Sequence, residues 1–238
     1  MPTGKQGRYT RPGVEAAARL VDCADADTWT TTEVKYGEML EAKGGKELVD
    51  LDRYCEDLLV PNMRQNKYIT KDELLKIVQW KFLKGKPRHA LMNHLRANTP
   101  KSVLEHSKAG MDFADEGDPE RAITEIAKLR GVGPATASAV LSLYRPDSFA
   151  FMDDEVIECL YTGKRGYTAA IYRNINERCT DLAEKLGCDW NPRRVGRALW
   201  TAARISATLV VDVAKTAKAK GDTAESMGRP TKRRKKSA

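Results

Sequence analysis

Apolar residues recur at three- and four-residue spacing along most of the chain, and polar–apolar alternation long enough for a strand is hard to find. The pattern predicts helices over 14–23 and 31–43, the second stopped by Gly44-Gly45, and a third over 47–59 that ends at Pro61. Leu48, Leu51, Tyr54, Cys55, Leu58 and Leu59 form one apolar stripe on the third, which reads as core. Thr70-Lys71-Asp72-Glu73 is a capping box that opens a helix over 71–83. Gly85 and Pro87 interrupt it, a helix resumes over 88–96, and Thr99-Pro100 starts another over 100–108. Asp118-Pro119 begins the next. Later helices are predicted from Asp153 to 161, over 168–186 with Gly187 as stop, and from Asn191-Pro192 to 214. Leu199, Trp200, Ala203, Ala207 and Val210 face inward on the last, with Arg193, Arg194 and Arg197 outside as surface charge. The expected fold class is all-α.

Between two of these segments lies Leu129-Arg130-Gly131-Val132-Gly133-Pro134-Ala135-Thr136-Ala137. Two glycines one residue apart permit a very tight helix–helix turn and the close approach of another molecule's backbone. Pro134 suits the first turn of the second helix, where its missing N–H costs nothing. The free amides there, with the positive end of the helix dipole, form an anion site.

This stretch resembles the helix-hairpin-helix motif, which grips a nucleic-acid phosphate through its hairpin amides. Asp153, in Phe151-Met152-Asp153-Asp154-Glu155, follows the hairpin at the distance at which the helix-hairpin-helix DNA glycosylases (the endonuclease III and adenine-glycosylase superfamily) carry an essential aspartate. The resemblance is specific over about 121–160 and suggestive from Lys71 onward. It implies a two-lobed helical bundle with the hairpin at 119–144 and the N- and C-terminal helices in one lobe. The phosphate would meet Gly131, Val132, Gly133 and Thr136.

In such an enzyme a carboxylate under the flipped-out nucleotide stabilises the oxocarbenium-like state and orients the attacking water. Asp153 is the candidate and Asp154 the second choice, while a plain N-cap is the other reading of either. Bifunctional members place a nucleophilic lysine two residues after the second hairpin glycine; this chain has Ala135 there, so the lyase step is expected to be absent. The resemblance puts a second pocket lining at Gln79, Trp80 and Lys81. Trp80 is either a base-stacking platform or a core aromatic, and Lys81 a phosphate contact or a relocated amine nucleophile.

Net charge is +8, but six of the 41 basic residues follow the last acid, Glu225, which leaves 35 against 33 acidic residues in the body. Local clustering therefore carries the argument. From Leu74 to Leu104 there are seven Lys or Arg and no Asp or Glu, which reads as a solvated basic face or a phosphate-tracking surface, with Lys84, Lys86 and Arg88 on the DNA backbone. Residues 1–13 read as a basic flexible arm and 215–238 as a disordered tail flanking one domain over 14–214. Thr231-Lys232-Arg233-Arg234-Lys235-Lys236 looks like a nuclear-import signal or a nonspecific nucleic-acid tether.

No run approaches a membrane span and no signal-peptide core is visible, so an intracellular, monomeric protein with no membrane partner is expected. The five cysteines form no CxxC pair, and Cys179 and Cys188 do not supply the family's iron–sulfur spacing. His89, His94 and His106 have no metal-ligand spacing. No metal or other cofactor is expected; a monovalent cation at the hairpin is the one left open.

The sequence thus reads as a double-stranded-DNA-binding protein that excises a damaged or mismatched base without strand cleavage. Its rivals are a hairpin module that binds without chemistry, within a repair or chromatin complex, and a helical interaction protein in which Gly-Val-Gly only turns the chain.

Overall fold

The structure is a computed structural model and describes residues 14–205, all-helical with no strand among them. The helices are α1 (Val14–Val21), α2 (Ala26–Glu33), α3 (Tyr36–Tyr54), α4 (Val60–Asn66), α5 (Lys71–Lys84), α6 (His89–Arg96), α7 (Pro100–Asp115), α8 (Pro119–Ile126), α9 (Pro134–Tyr144), α10 (Asp154–Leu160) and α11 (Ala169–Leu186). A further helix, α12, covers 192–205. The basic arm, the end of the last predicted helix, the tail and its basic run lie outside the described residues. No helix among the described residues is long and apolar enough to cross a membrane.

At the centre lies α9, buried from Ala135 to Tyr144 on every side and packed against α4, α5, α7, α8 and α11. A helix apolar all round belongs in an interior. The small residues Ala135, Ala137, Ser138, Ala139 and Ser142 let its neighbours come close, and Ser138 and Ser142 satisfy their hydroxyls on the carbonyls of Ala135 and Ala139. Beside it, α5 is opened by the full capping box: Thr70 Oγ1 accepts from the Glu73 amide and Glu73 Oε2 from the Thr70 amide. Leu74, Ile77, Val78 and Trp80 of α5 are buried.

The expected break at Gly44-Gly45 is present: Gly45 takes non-helical φ 61° and ψ −159°, so α3 is two helical pieces that meet at a kink. The boundary at Pro61 departs from the pattern, because this residue does not stop the chain. A π-helical stretch, Cys55–Leu59, passes directly into α4, and its wider turn, in which the Val60 amide reaches back to the Cys55 carbonyl, accommodates Pro61, which has no N–H to give.

The C-terminal α12 is locked to the N-terminal helices by charge as well as by rings. Arg193 grips Glu56 at 2.6 and 3.1 Å, and Arg194 grips Glu33 at 2.7 and 3.0 Å. Trp200 meets the Tyr36 ring edge-on at 5.5 Å. The arginines expected as ordinary surface charge are therefore half-buried ties between elements, with Arg197 stacked 4.3 Å over Tyr36.

Candidate functional site

The turn between α8 and α9 is held by its neighbours rather than by its own side chains. Asn98, just past α6, accepts from the Arg130 amide at 2.9 Å and donates to the Arg130 carbonyl at 2.9 Å. Gly131 has φ 79°, and a Cβ there would come within 3.1 Å of His94, Leu95 and the Leu91 carbonyl oxygen. Only glycine fits both the dihedral and the space. Gly133 caps α9 with no side-chain hydrogen bond, and a Cβ there would meet nothing within 4 Å. That end of α9 faces open space.

The segment after α9 brings Asp153 to the same place. Asn176 of α11 accepts from the Ala150 amide at 2.7 Å and donates to the Ser148 carbonyl at 2.9 Å. Ser138 of α9 accepts from the Met152 amide at 3.0 Å. Hung on these bonds, Asp153 caps α10, its Oδ1 accepting from the Asp154 amide at 3.0 Å. So Asp153 is an N-cap, as one reading of the sequence had it, and it also lines a cleft.

That cleft has a volume of about 350 Å³, within the size range of ligand sites. One wall is the hairpin: Gly131, Val132 and Gly133, with Ala135 and the buried Thr136 behind them. A second is Phe151 to Asp154, and the third is Lys81, Gly85, Lys86 and Arg88 from the end of α5 and its loop. Tyr167 closes the rim.

The ion pairs decide where the charge lies. Lys84 Nζ approaches Asp153 Oδ2 at 3.1 Å, with the two side chains only 3% and 6% exposed. The Lys84 ammonium sits 4.8–5.4 Å from the rings of Tyr36, Trp80, Phe151 and Trp200. Burial pushes its amine down and Asp153 pulls it back up, with a net downward shift. The contact to Oδ2 is an ion pair without hydrogen-bond alignment, so Oδ2 has no donor of its own.

Asp154 accepts from Tyr167 Oη and meets Arg165, each at 2.5 Å. Arg88 stacks 5.2 Å over the Tyr167 ring and bonds its hydroxyl at 3.3 Å. With both carboxylates matched, Lys81, Lys86 and Arg88 leave the cleft cationic, and the N-terminus of α9 adds to this.

Several expected site residues are elsewhere. Lys84 is not on the surface expected to track phosphates; it is the buried partner of Asp153, because that carboxylate needs a counter-charge. Gln79 points away from the cleft and donates to Glu47 at 2.8 Å. Trp80 is core: it stacks 5.4 Å from Phe151 and donates to Asp52 at 2.8 Å, so it has no free face for a base. Lys81, Lys86, Arg88, the hairpin residues, Asp153 and Asp154 do come together. Tyr167, Arg165 and Asn98 were not singled out in the sequence; Tyr167 follows a basic Gly-Lys-Arg-Gly turn, which is the one signal it carried. His106 is tied to Glu125 at 2.8 Å, and no cluster of three or more His, Cys, Asp or Glu among the described residues could hold a metal.

No family model matches the chain, and no curated protein or solved structure matches it significantly.

Proposed function

We propose that the chain binds double-stranded DNA in this cleft and excises a damaged or mismatched base by hydrolysing its N-glycosidic bond, as a divergent relative of the helix-hairpin-helix DNA glycosylases. The single observation that carries the reading is that the Gly-Val-Gly turn and Asp153 line one cationic cleft. The hairpin amides, Lys86 and Arg88 would hold backbone phosphates, and a flipped-out nucleotide would bring its sugar to Asp153. There the carboxylate stabilises positive charge developing on the sugar and orients the water. Hydrolysis leaves an abasic site, and Ala135 gives the hairpin helix no amine with which to cut the strand.

A binding module without chemistry is the second reading, favoured by the Lys84 ammonium that already neutralises Asp153. The open space at Gly133 weighs against a turn that merely packs on protein. A monomer located in the nucleus by the 231–236 run belongs to the same proposal; truncation after Gly228 is expected to abolish nuclear accumulation.

The test is a panel of lesion-bearing duplexes treated with wild type and Asp153→Asn, with excision read as alkali-labile sites. Release from at least one lesion by the wild type alone supports the enzyme. Tight binding with no release from any supports the module.

A further inference from the structure

The side chains that line the cleft offer hydrogen-bond donors and almost no free acceptor. No Asn, Gln, Ser, His or Glu among the described residues lines it. Of its two carboxylates, Asp153 lies against Lys84 at 3.1 Å, while Asp154 accepts from Tyr167 and meets Arg165. The Tyr167 hydroxyl therefore has its proton engaged, and Thr136 is buried behind the hairpin.

Two ammoniums, by contrast, have no hydrogen bond or carboxylate partner among the described residues, and depth separates them. Lys86 is exposed, as is Arg88, and the proposed function gives these two to backbone phosphates. Lys81 is half-buried in the wall made by α5, within the field of both Asp153 and Asp154. A nucleotide whose C1′ lies at Asp153 carries its base in that same part of the cleft, so Lys81 meets the base.

We propose that the base excised here is a deaminated one, with a carbonyl where its parent carries an amine, and that Lys81 donates to that carbonyl. The proposal rests on the excision reading and deepens it, naming the class of base and the residue that selects it.

Deamination turns cytosine into uracil, adenine into hypoxanthine and guanine into xanthine. Each time an exocyclic N–H donor becomes an oxygen acceptor. In a cleft of donors the parent amine finds no partner and faces an ammonium, whereas the carbonyl is satisfied. A purine methylated at N7 or N3 is itself a cation and is repelled by Lys81, Lys86 and Arg88. Burial pushes the Lys81 amine down against the pull of Asp153 and Asp154, with Arg88 adding to it, and an electron-rich oxygen beside the ammonium offsets that loss of solvation.

The same contact acts in the reaction. As the N-glycosidic bond breaks, its electron pair leaves with the base, and the negative charge spreads onto the carbonyl oxygen beside Lys81. Water adds to C1′, and the proton it loses ends on the base nitrogen, so one water is the only co-reactant.

The experiment uses the full chain in single-turnover assays. The duplexes carry uracil, hypoxanthine or xanthine, their unmodified parents, and N7-methylguanine or 8-oxoguanine, which keep their amine. Base release and affinity are measured for wild type, Lys81→Met, Lys81→Arg and Lys86→Met. Wild type is expected to release at least one deaminated base and none of the others. Lys81→Met should lose at least about tenfold in that release with affinity within a few-fold of wild type. Lys81→Arg, which keeps the charge and the donors, should retain most of it, and Lys86→Met should lower affinity without changing release from bound duplex. Release by wild type of an amine-bearing base in preference to the deaminated ones overturns the base class, a result that needs no variant. Undiminished release by Lys81→Met, or a fall as large in Lys81→Arg or Lys86→Met, overturns the role of Lys81. Both outcomes leave excision standing. Tight binding with no release from any duplex overturns the proposal and the excision reading together.

Discussion

Lys84 and Asp153 form a buried ion pair, Nζ to Oδ2 at 3.1 Å, that joins the last turn of α5 to the first of α10 inside a ring of four aromatic side chains. Breaking such a pair from one side leaves a buried charge unmatched. Lys84→Met is therefore expected to destabilise the fold by about 3–5 kcal/mol. Lys84→Met combined with Asp153→Asn should regain most of that loss, because methionine fills the aromatic cage and asparagine still caps α10. Urea unfolding of both variants checks this; a double variant no more stable than the single one contradicts it.

At the hairpin the two glycines should behave differently. Gly131→Ala places a side chain at φ 79° against His94 and Leu95 and is expected to cost about 1–2 kcal/mol in stability. Gly133→Asp has room for its side chain and should unfold at the wild-type temperature, while DNA affinity falls because a negative charge faces the phosphate. Thermal melts beside fluorescence anisotropy separate the two effects.

Salt dependence should come from the exposed part of the basic stretch only. Neutralising Lys86 and Arg88 together is expected to flatten the slope of log affinity against log salt by about two units if both meet phosphates. An unchanged slope would make them solvated surface.

Much of the fold was legible because its signals are local. The Thr70–Glu73 box, Pro100, Pro119 and Pro134 each announce a helix start within a few residues of sequence. The helix α2 was not, since Trp29 is its sole buried residue and it shows no stripe. Lys84 departs from its expected place for a different reason: it stands in a run with Lys81, Lys86 and Arg88 that has no acid, and its partner Asp153 lies far along the chain. A weak signal was present, because Lys84 shares a helical face with Ile77 and Trp80. Arg193 and Arg194 escape the local pattern in the same way, because Glu56 and Glu33 stand far earlier in the chain. In the candidate site, the Gly-Val-Gly turn and Asp153 came from motif spacing; the ties that aim them, Asn98, Ser138 and Asn176, are long-range and left no pattern.

Asp115 offers a pH test remote from the cleft. Its carboxylate accepts from Lys67 at 2.7 Å, Tyr144 at 2.9 Å and Arg145 at 3.0 Å. Partial burial alone would raise its carboxyl, but these three bonds outweigh that and hold it below the ordinary value. A carboxyl depressed in the folded state contributes stability that is present above its unfolded value of about 4 and lost as pH falls through the folded one. Asp115→Asn should thus lose about 1–2 kcal/mol near neutrality and show a smaller loss on acidification than wild type. Equal acid sensitivity in the two proteins would contradict the assignment.

The central claim, that hairpin and carboxylate serve one DNA site with separate tasks, is tested most directly by a single-turnover measurement. Base release and affinity are measured on one duplex for wild type, Gly133→Asp and the Lys84→Met/Asp153→Asn double variant. The account expects wild type to release base, Gly133→Asp to lose affinity, and the double variant to bind within a few-fold of wild type while its release rate drops by at least about a hundredfold. Undiminished release by the double variant, or undiminished affinity in Gly133→Asp, would contradict it.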